Sequence, residues 1–353
     1  MHIQKMYMRR EEKMIFDTRC LPADAESLLL AAELLRQGRV VAFPTETVYG
    51  LGADALNESA VRAIFAAKER PADNPLIVHV WRREQLSGLC AVTEAAERLM
   101  DAFWPGPLTL LMEKTPKVPD VTTAGLPSVA MRCPDHPVAR ALLKACDLPI
   151  AAPSANRSGR PSPTSAAHVL EDMRGRIPLI LDGGECRVGV ESTVLDLTGE
   201  IPTVLRPGAV TPRMIAGITG QCAVAPSVMR PLMEGETAPS PGMKHKHYAP
   251  KAKMTVYIGA DERVARVLRE QYDRTENAAL LAQTQVLPLL GGRRAFSIGS
   301  TPAEGAHLLF QRLREMDDLG VSRIFAQGWE PEGDALAVMN RMARAAGFDI
   351  VHV

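Results

Sequence analysis

Short apolar runs that do not alternate decide what this chain can become. LIVHV (76–80), PLTLLME (107–113), SVAMR (128–132), PIAA (149–152), PLILD (178–182), STVLDL (192–197) and TVLR (203–206) place apolar residues side by side, so as strands they need cover on both faces. The stretches between them supply it. Apolar positions recur at helical spacing over 58–68, 94–103, 136–146 and 165–173, and after Asp24 at Leu28, Leu29, Ala32 and Leu35. Gly38 stops that first helix, a strand follows at 40–43, and Pro71 forbids continuation of the helix over 58–68. Asp24, Thr93, Asp135 and Thr164 are the expected N-caps, and Pro137 suits a first turn. The pattern predicts an α/β domain of roughly 200 residues.

A second unit follows a break, as the 353 residues require, since that length exceeds one comfortable core. After a short helix at 212–217, both periodicities vanish from Cys222 to Lys253, a stretch rich in Pro and Gly. Beyond it, strands at 254–259, 276–283, 294–299 and 322–328 alternate with helices at 261–273, 302–318 and 334–346, the rhythm of a small parallel α/β domain. Gly259-Ala260-Asp261 lacks the G-x-G-x-x-G fingerprint, which argues against a dinucleotide there. The expected division is a disordered extension over 1–14, a catalytic domain over 15–218, a linker and lid over 219–253, and the small domain over 254–353.

Composition removes several function classes. Lys+Arg and Asp+Glu are equal at 41 each, so no overall basic field draws the chain to nucleic acid or anionic lipid. The six cysteines, at 20, 90, 133, 146, 186 and 222, form no C-x-x-C pair, which argues against a zinc knuckle or a disulfide framework and for reduced thiols in the cytoplasm. The opening MHIQKMYMRREEKM has no apolar core of signal-peptide length, and no run of ~18 apolar residues occurs. A cytoplasmic protein without membrane contact is expected.

Candidate chemistry gathers where strands end. On the helix over 58–68, Lys68 leaves from the same face as Val61, Ile64 and Phe65, and Arg70 sits in extended backbone before Pro71. Two cations beside a cleft suit a polyphosphate, although cations at a helix C-terminus also offset the macrodipole. His79 shares its strand with Val78 and Val80 on the other face and reads as a core histidine or a ligand group. Arg132 closes its strand, as a carboxylate clamp or a surface ion pair. The stretch 151–162, AAPSANRSGRPS, piles small residues, hydroxyls and an amide after a strand; it suits phosphate or ribose, or is an ordinary polar loop. Glu191-Ser192-Thr193 opens a strand and Arg206 closes the next. Ligands sit at strand ends in open α/β sheets.

The ordered blocks PTETVYGLG (44–52), KERPADNPLIVHV (68–80), PSVAMRCP (127–134), APSANRSGRPSPT (152–164), ESTVLDL (191–197), LRPGAV (205–210) and SPGMKHKHYAP (240–250) closely resemble the threonylcarbamoyl-AMP synthase family. The resemblance is to its two-domain form, over residues 20 to 353, and Lys68, Arg70, Ser154 and Asn156 match its K-x-R and S-x-N hallmark. It implies a YrdC-like, twisted, open mixed sheet with helices, plus a smaller Rossmann-like parallel α/β domain. The implied activity condenses L-threonine, bicarbonate and ATP to threonylcarbamoyl-AMP and pyrophosphate, for a tRNA modification beside the anticodon. The product would pass to a downstream tRNA threonylcarbamoyl transferase complex, with contact to tRNA or double-stranded RNA.

Carried over, Thr47, His79, Arg132, Ala152 and Ser192 would line the threonine pocket. Lys68 and Arg70, as the catalytic cations, would join Asn74, Ser128, Ser154, Asn156, Ser162, Arg206 and Tyr248 around ATP. Mg2+ would enter with ATP, with no organic cofactor and no protein metal motif. His245 and His247 could pair on a metal but are taken as part of the lid. Glu69, Ala72 and Ser128 depart from the family pattern. Two rivals stand beside this reading. A carbamoyl-transferring hydrogenase maturation factor would add an acylphosphatase-like segment and paired C-x-x-C fingers, and a double-stranded-RNA-binding or ribosome-maturation module would need a basic cleft.

Overall fold

A computed structural model of the chain describes residues 16–231 and 248–353. The extension expected over 1–14, and His245 and His247, lie outside the described residues.

The first region begins with β1 (Arg19–Pro22), α1 (Ala25–Arg36), β2 (Val41–Phe43), β3 (Gly50–Asp54), α2 (Glu58–Lys68) and β4 (Ile77–His79). It continues with α3 (Glu94–Phe103), β5 (Leu108–Glu113), the single turn α4 (Asp120–Thr123), β6 (Ser128–Arg132), α5 (Pro137–Cys146) and β7 (Ile150–Ala151). Then come α6 (Ala166–Met173), β8 (Leu179–Asp182), β9 (Thr193–Asp196), β10 (Thr203–Arg206), α7 (Pro212–Thr219) and β11 (Ala223–Val224). The strands form one 11-stranded sheet in the order β1-β8-β2-β3-β7-β4-β6-β5-β9-β10-β11. It is mixed: β4 and β6 run parallel, while β5 and β6 run antiparallel.

The second region holds β12 (Lys253–Ile258), α8 (Asp261–Asp273), β13 (Ala278–Ala282), β14 (Ala295–Ser297), α9 (Pro302–Asp318), β15 (Arg323–Gln327), α10 (Leu336–Ala345) and β16 (Ile350–His352). Its five strands lie in the order β14-β13-β15-β12-β16, every pair parallel. The expected α/β class, with a large mixed sheet and a smaller parallel one, is the observed one.

Local signals explain most boundaries. Asp24 accepts from the Ser27 amide and Thr93 from the Ala96 amide, closing orphan donors at the starts of α1 and α3. Two caps differ from expectation. His136, not Asp135, occupies the N-cap of α5, where Pro137 needs no donor partner; Ser165, not Thr164, caps α6 by accepting from His168 N. Strand β3 was hidden by its glycines, and a Cβ at Gly52 would stand 2.6 Å from the Phe43 ring and 2.8 Å from Ile150, so only glycine lets β2 and β7 close around it. Strand β11 extends the sheet from within 219–253, the segment read from sequence as linker; two residues are too few to show a period.

The regions touch closely. Gly189 has φ +85°, and a Cβ there would lie 2.4 Å from His307 Cα, so backbone meets backbone. Arg314 of α9 is 2% exposed and donates to Asp172 (2.7 Å), Glu171 (2.9 Å) and the Pro161 carbonyl (2.6 Å) of the first region. All six cysteines carry free thiols. No helix among the described residues is long and apolar enough to cross a membrane.

Candidate active site

Strand register builds the site. Pairing sets His79 of β4 opposite Arg132 of β6, and Arg132 opposite Thr109 of β5, so three polar side chains stand abreast on one face. The row continues through hydrogen bonds. The Thr109 and Ser192 hydroxyls lie 2.8 Å apart, while Arg206 donates to the Ser192 carbonyl (3.1 Å) and hydroxyl (3.2 Å). Two residues back along the strands, Ile77, Ala130 and Leu111 form an apolar row packed with Val194 and Leu205. Polar groups therefore occupy one end of the sheet face, with apolar packing behind them.

The turn after β2 adds the next wall. Thr45 Oγ1 accepts from the Thr47 and Val48 amides at 3.2 and 3.3 Å, a tight local turn that leaves Glu46 and Thr47 buried. Arg132 donates to Thr47 Oγ1 at 3.0 Å and to the Gly106 carbonyl at 3.3 Å, and its Nη2 stands 2.7 Å from a Glu46 carboxylate oxygen. That pair is close but misaligned for hydrogen bonding, so the Glu46 oxygens and Arg132 Nη2 lack a hydrogen-bond partner among the described residues. Arg132 is 3% exposed, which decides against a surface ion pair. A buried carboxylate and guanidinium with open valences form a receptive site.

The K-x-R and S-x-N blocks turn out to be one unit. Lys68 Nζ donates to the Ser154 carbonyl and, at 2.5 Å, to the Asn156 carbonyl. Burial, then the nearby Arg70 charge, push its ammonium well below the ordinary lysine range. The Asn156 amide in turn donates to the Arg157 and Arg160 carbonyls, 2.8 Å each, and accepts the Ser154 hydroxyl at 2.6 Å. Lysine and asparagine thus hold the loop after β7 in shape from behind. Arg70 faces the cavity, donating weakly to the Asn74 and Pro75 carbonyls at 3.3 Å, with no partner for Nε among the described residues, and burial pulls it down to about 10.

His79 is neutral at working pH. Burial, then Arg132, drive its imidazole down to about 3, and Nδ1 has no partner among the described residues. Glu191 accepts the Ser162 hydroxyl; burial pushes its carboxyl up, but Arg341, Arg206 and that hydroxyl outweigh burial and hold it below the ordinary carboxylate range.

One cavity receives Thr47, Arg70, His79, Arg132, Ala152, Ser154, Ser192, Arg206 and Tyr248 from the expected set, and adds Thr45 and Glu191. Lys68, Asn74, Asn156 and Ser162 are buried but do not line it. Ser128, also expected beside ATP, does not line this cavity. It starts β6, four residues before Arg132, and borders a separate opening with Glu113, Lys114, Pro127 and Thr198. The sequence reading gave no site role to Thr45 and Glu46, and named Glu191 only as part of a strand opening. Their only signal was adjacency to chosen positions, since an acidic residue beside a hydroxyl reads as an exposed loop. Among the described residues no group of three His, Cys, Asp or Glu could hold a metal ion.

Comparison with known proteins agrees with this geometry. A family model described as telomere recombination matches residues 33–208, and one for the threonylcarbamoyl-AMP synthase C-terminal domain matches residues 210–347. The threonylcarbamoyl-AMP synthase of Pyrococcus abyssi is 48% identical over 325 residues, 92% of this chain and 95% of the relative. That of Bacillus subtilis is 44% identical over 331 residues, 91% of this chain and 93% of its own. The crystal structure of Pyrococcus abyssi Sua5 complexed with L-threonine superposes with a TM-score of 0.88 at 44% identity, covering 96% of this chain and 99% of that one. With near-complete coverage in sequence and in structure, the chain belongs to the threonylcarbamoyl-AMP synthase family, in its two-domain form.

Proposed function

We propose that the chain condenses L-threonine, bicarbonate and ATP to threonylcarbamoyl-AMP and pyrophosphate. The observation that carries this reading is one buried cavity in which a carboxylate-seeking guanidinium, Arg132, stands beside neutral His79, with two further guanidiniums, Arg70 and Arg206, on its wall. Threonine binds with its carboxylate on Arg132, against Thr47, Ala152 and Ser192. His79 adds no charge to that wall, and the Arg132 charge favours the free amine over the ammonium. Bicarbonate loses hydroxide to give CO2, and only the free amine attacks the CO2 carbon, forming the carbamate with release of a proton; that proton and the hydroxide make the one water lost overall.

A carbamate oxygen then attacks the α-phosphorus of ATP in line, the bond to the β-phosphate oxygen breaks, and pyrophosphate departs. Arg70 and Arg206 offset the charge of the phosphates while Ser154 and Tyr248 border the nucleotide. Lys68 and Asn156 act through the loop they hold. No enzyme nucleophile is needed, because proximity and exclusion of water suffice for two labile intermediates. Mg2+ enters as Mg2+–ATP, a substrate form, with oxygen ligands from the phosphates and water. The product passes to a transferase that places the threonylcarbamoyl group on tRNA.

The test uses purified protein with Mg2+–ATP, threonine and 13C-bicarbonate, read by mass spectrometry. The expected product is an adenylate one mass unit heavier than with unlabelled bicarbonate. RNA-stimulated ATP hydrolysis without any adenylate would overturn the reading in favour of an RNA-binding module.

A further inference from the structure

We propose that Arg341 of α10 is a positioning residue for the reaction assigned above: from the second region it holds Glu191, Pro207 and Tyr248 so that Ser192 and Arg206 face the cavity correctly. The inference rests on that assignment.

Arg341 is fully buried, at 0% exposed, and does not line the cavity itself. Its Nε donates to the Glu191 carboxylate at 2.7 Å and its Nη2 to the Glu191 carbonyl at 3.2 Å. Nη1 donates to the Pro207 carbonyl at 3.0 Å and to Asn340 Oδ1 at 2.7 Å, which fixes the plane of the fork. Glu191 precedes Ser192 and Pro207 follows Arg206 in the chain, and Ser192 and Arg206 are bonded to each other. One guanidinium therefore staples both segments that carry this wall. The approach is tight there, since a Cβ at Gly208 would lie 2.4 Å from the Thr193 amide nitrogen.

The same guanidinium reaches the cavity's third element. Its Cζ is 5.5 Å from the centroid of the Tyr248 ring, and Phe310 of α9 contacts that ring at 5.3 Å between centroids. Tyr248 is 5% exposed with φ +62°, a left-handed conformation uncommon for a bulky side chain. Every donor of Arg341 that is described points to the first region or to Asn340, and none to the second sheet.

Around Glu191 stand Arg341 of α10, Arg206 of β10, Lys68 of α2, Tyr248 and the Ser162 hydroxyl. Removing Arg341 leaves a buried carboxylate whose remaining cations are the two that serve the cavity wall and loop. Its carboxyl then takes up a proton at higher pH than in wild type and, once neutral, no longer attracts Arg206, so the wall loosens as pH falls.

The experiment compares full-length wild type, Arg341→Met, Arg341→Lys, Arg341→Met with Glu191→Gln, and Arg314→Met. The readouts are threonine-dependent pyrophosphate release as kcat and KM across pH, and Tm. Arg314 is the control, being an equally buried arginine across the same contact that holds Asp172 instead. The expected result for Arg341→Met is a kcat lowered about 20-fold or more, a threonine KM within about 3-fold, and an activity loss toward acid pH absent from wild type. Adding Glu191→Gln removes that acid limb, and Arg341→Lys restores part of kcat. Arg314→Met lowers Tm but keeps the wild-type pH profile. A lowered Tm in Arg341→Met with wild-type kcat and pH profile overturns the proposal and makes Arg341 structural only. Should Arg341→Met not fold, Arg341→Lys decides: an intermediate kcat with an acid limb supports the proposal, and a wild-type profile overturns it. A wild type without threonine-dependent release refutes the assignment of the reaction, not this inference.

Discussion

The two sheets end very differently, though both are layered α/β structures. At the strand ends of the second sheet, Gln327 donates to Asp261 at 2.8 Å and accepts from the Gln283 amide at 3.0 Å, while Gln283 donates to the Gly328 carbonyl at 3.3 Å. A Cβ at Gly259 would lie 2.3 Å from the Val353 carbonyl oxygen, so that crevice is filled by backbone. At the ends of the first sheet, Glu46, Arg70, Asn74, His79 and Arg132 keep buried polar atoms without hydrogen-bond partners among the described residues. Burial of such atoms costs of order 1–3 kcal/mol each, and a ligand in the cavity lined by Arg70, His79 and Arg132 would restore bonds to theirs. Shared layering does not make a site; open buried valences do.

The largest effect that would break this comparison comes from Arg132→Ala. It should abolish threonine-dependent turnover and destabilise by about 3–5 kcal/mol, because Glu46 is left buried without its counter-charge. Chemical denaturation and pyrophosphate assays check both halves, and retained turnover would refute the carboxylate role. Next, Arg70→Ala should lower kcat about 100-fold or more while threonine affinity by calorimetry changes little, separating the phosphate end from the amino-acid end.

A third test uses pH. His79 has a folded value of about 3, below its unfolded one, so stability from keeping it neutral is fully present above the unfolded value of about 6.5 and is lost as pH falls toward 3. Replacing it by Asn should flatten the acid decline of Tm over that window; an unchanged decline contradicts the buried neutral imidazole. The smallest effect should come from the second sheet, where Asp261→Asn should shift stability by only about 1 kcal/mol and leave turnover within about 2-fold. A large loss of activity there would erase the contrast between the two sheets.

How much of this was legible depends on distance along the chain. The strands that hold Leu108, Arg132 and Arg206, and the helices that end at Lys68 and begin at Pro302, follow from apolar periodicity, capping and proline, which act within a few residues. β3 escaped because Gly50 and Gly52 look like turn residues until Phe43 and Ile150 are packed against them. β16 is half-exposed and three residues long, too short for a pattern. The site was legible as residue types at strand ends, yet roles depended on which neighbour each group met. Lys68 looked like a phosphate cation, and its bonds to the Ser154 and Asn156 carbonyls could not be foreseen from the residue type. Ser128 and Arg132 look equivalent in sequence but sit at opposite ends of one strand. Arg341 drew no reading of its own on the helix over 334–346, and its partner Glu191 lies 150 positions away, a contact no local pattern encodes.

The central claim is that one cavity at the ends of the first sheet binds threonine and ATP together. The most direct measurement is pyrophosphate release from Mg2+–ATP by wild type and by Arg132→Ala, with threonine and bicarbonate each present or withheld. Release by wild type only when both are present, and none above background in the variant, is the predicted result. Release that ignores threonine, or that survives in the variant at the wild-type rate, would contradict the account.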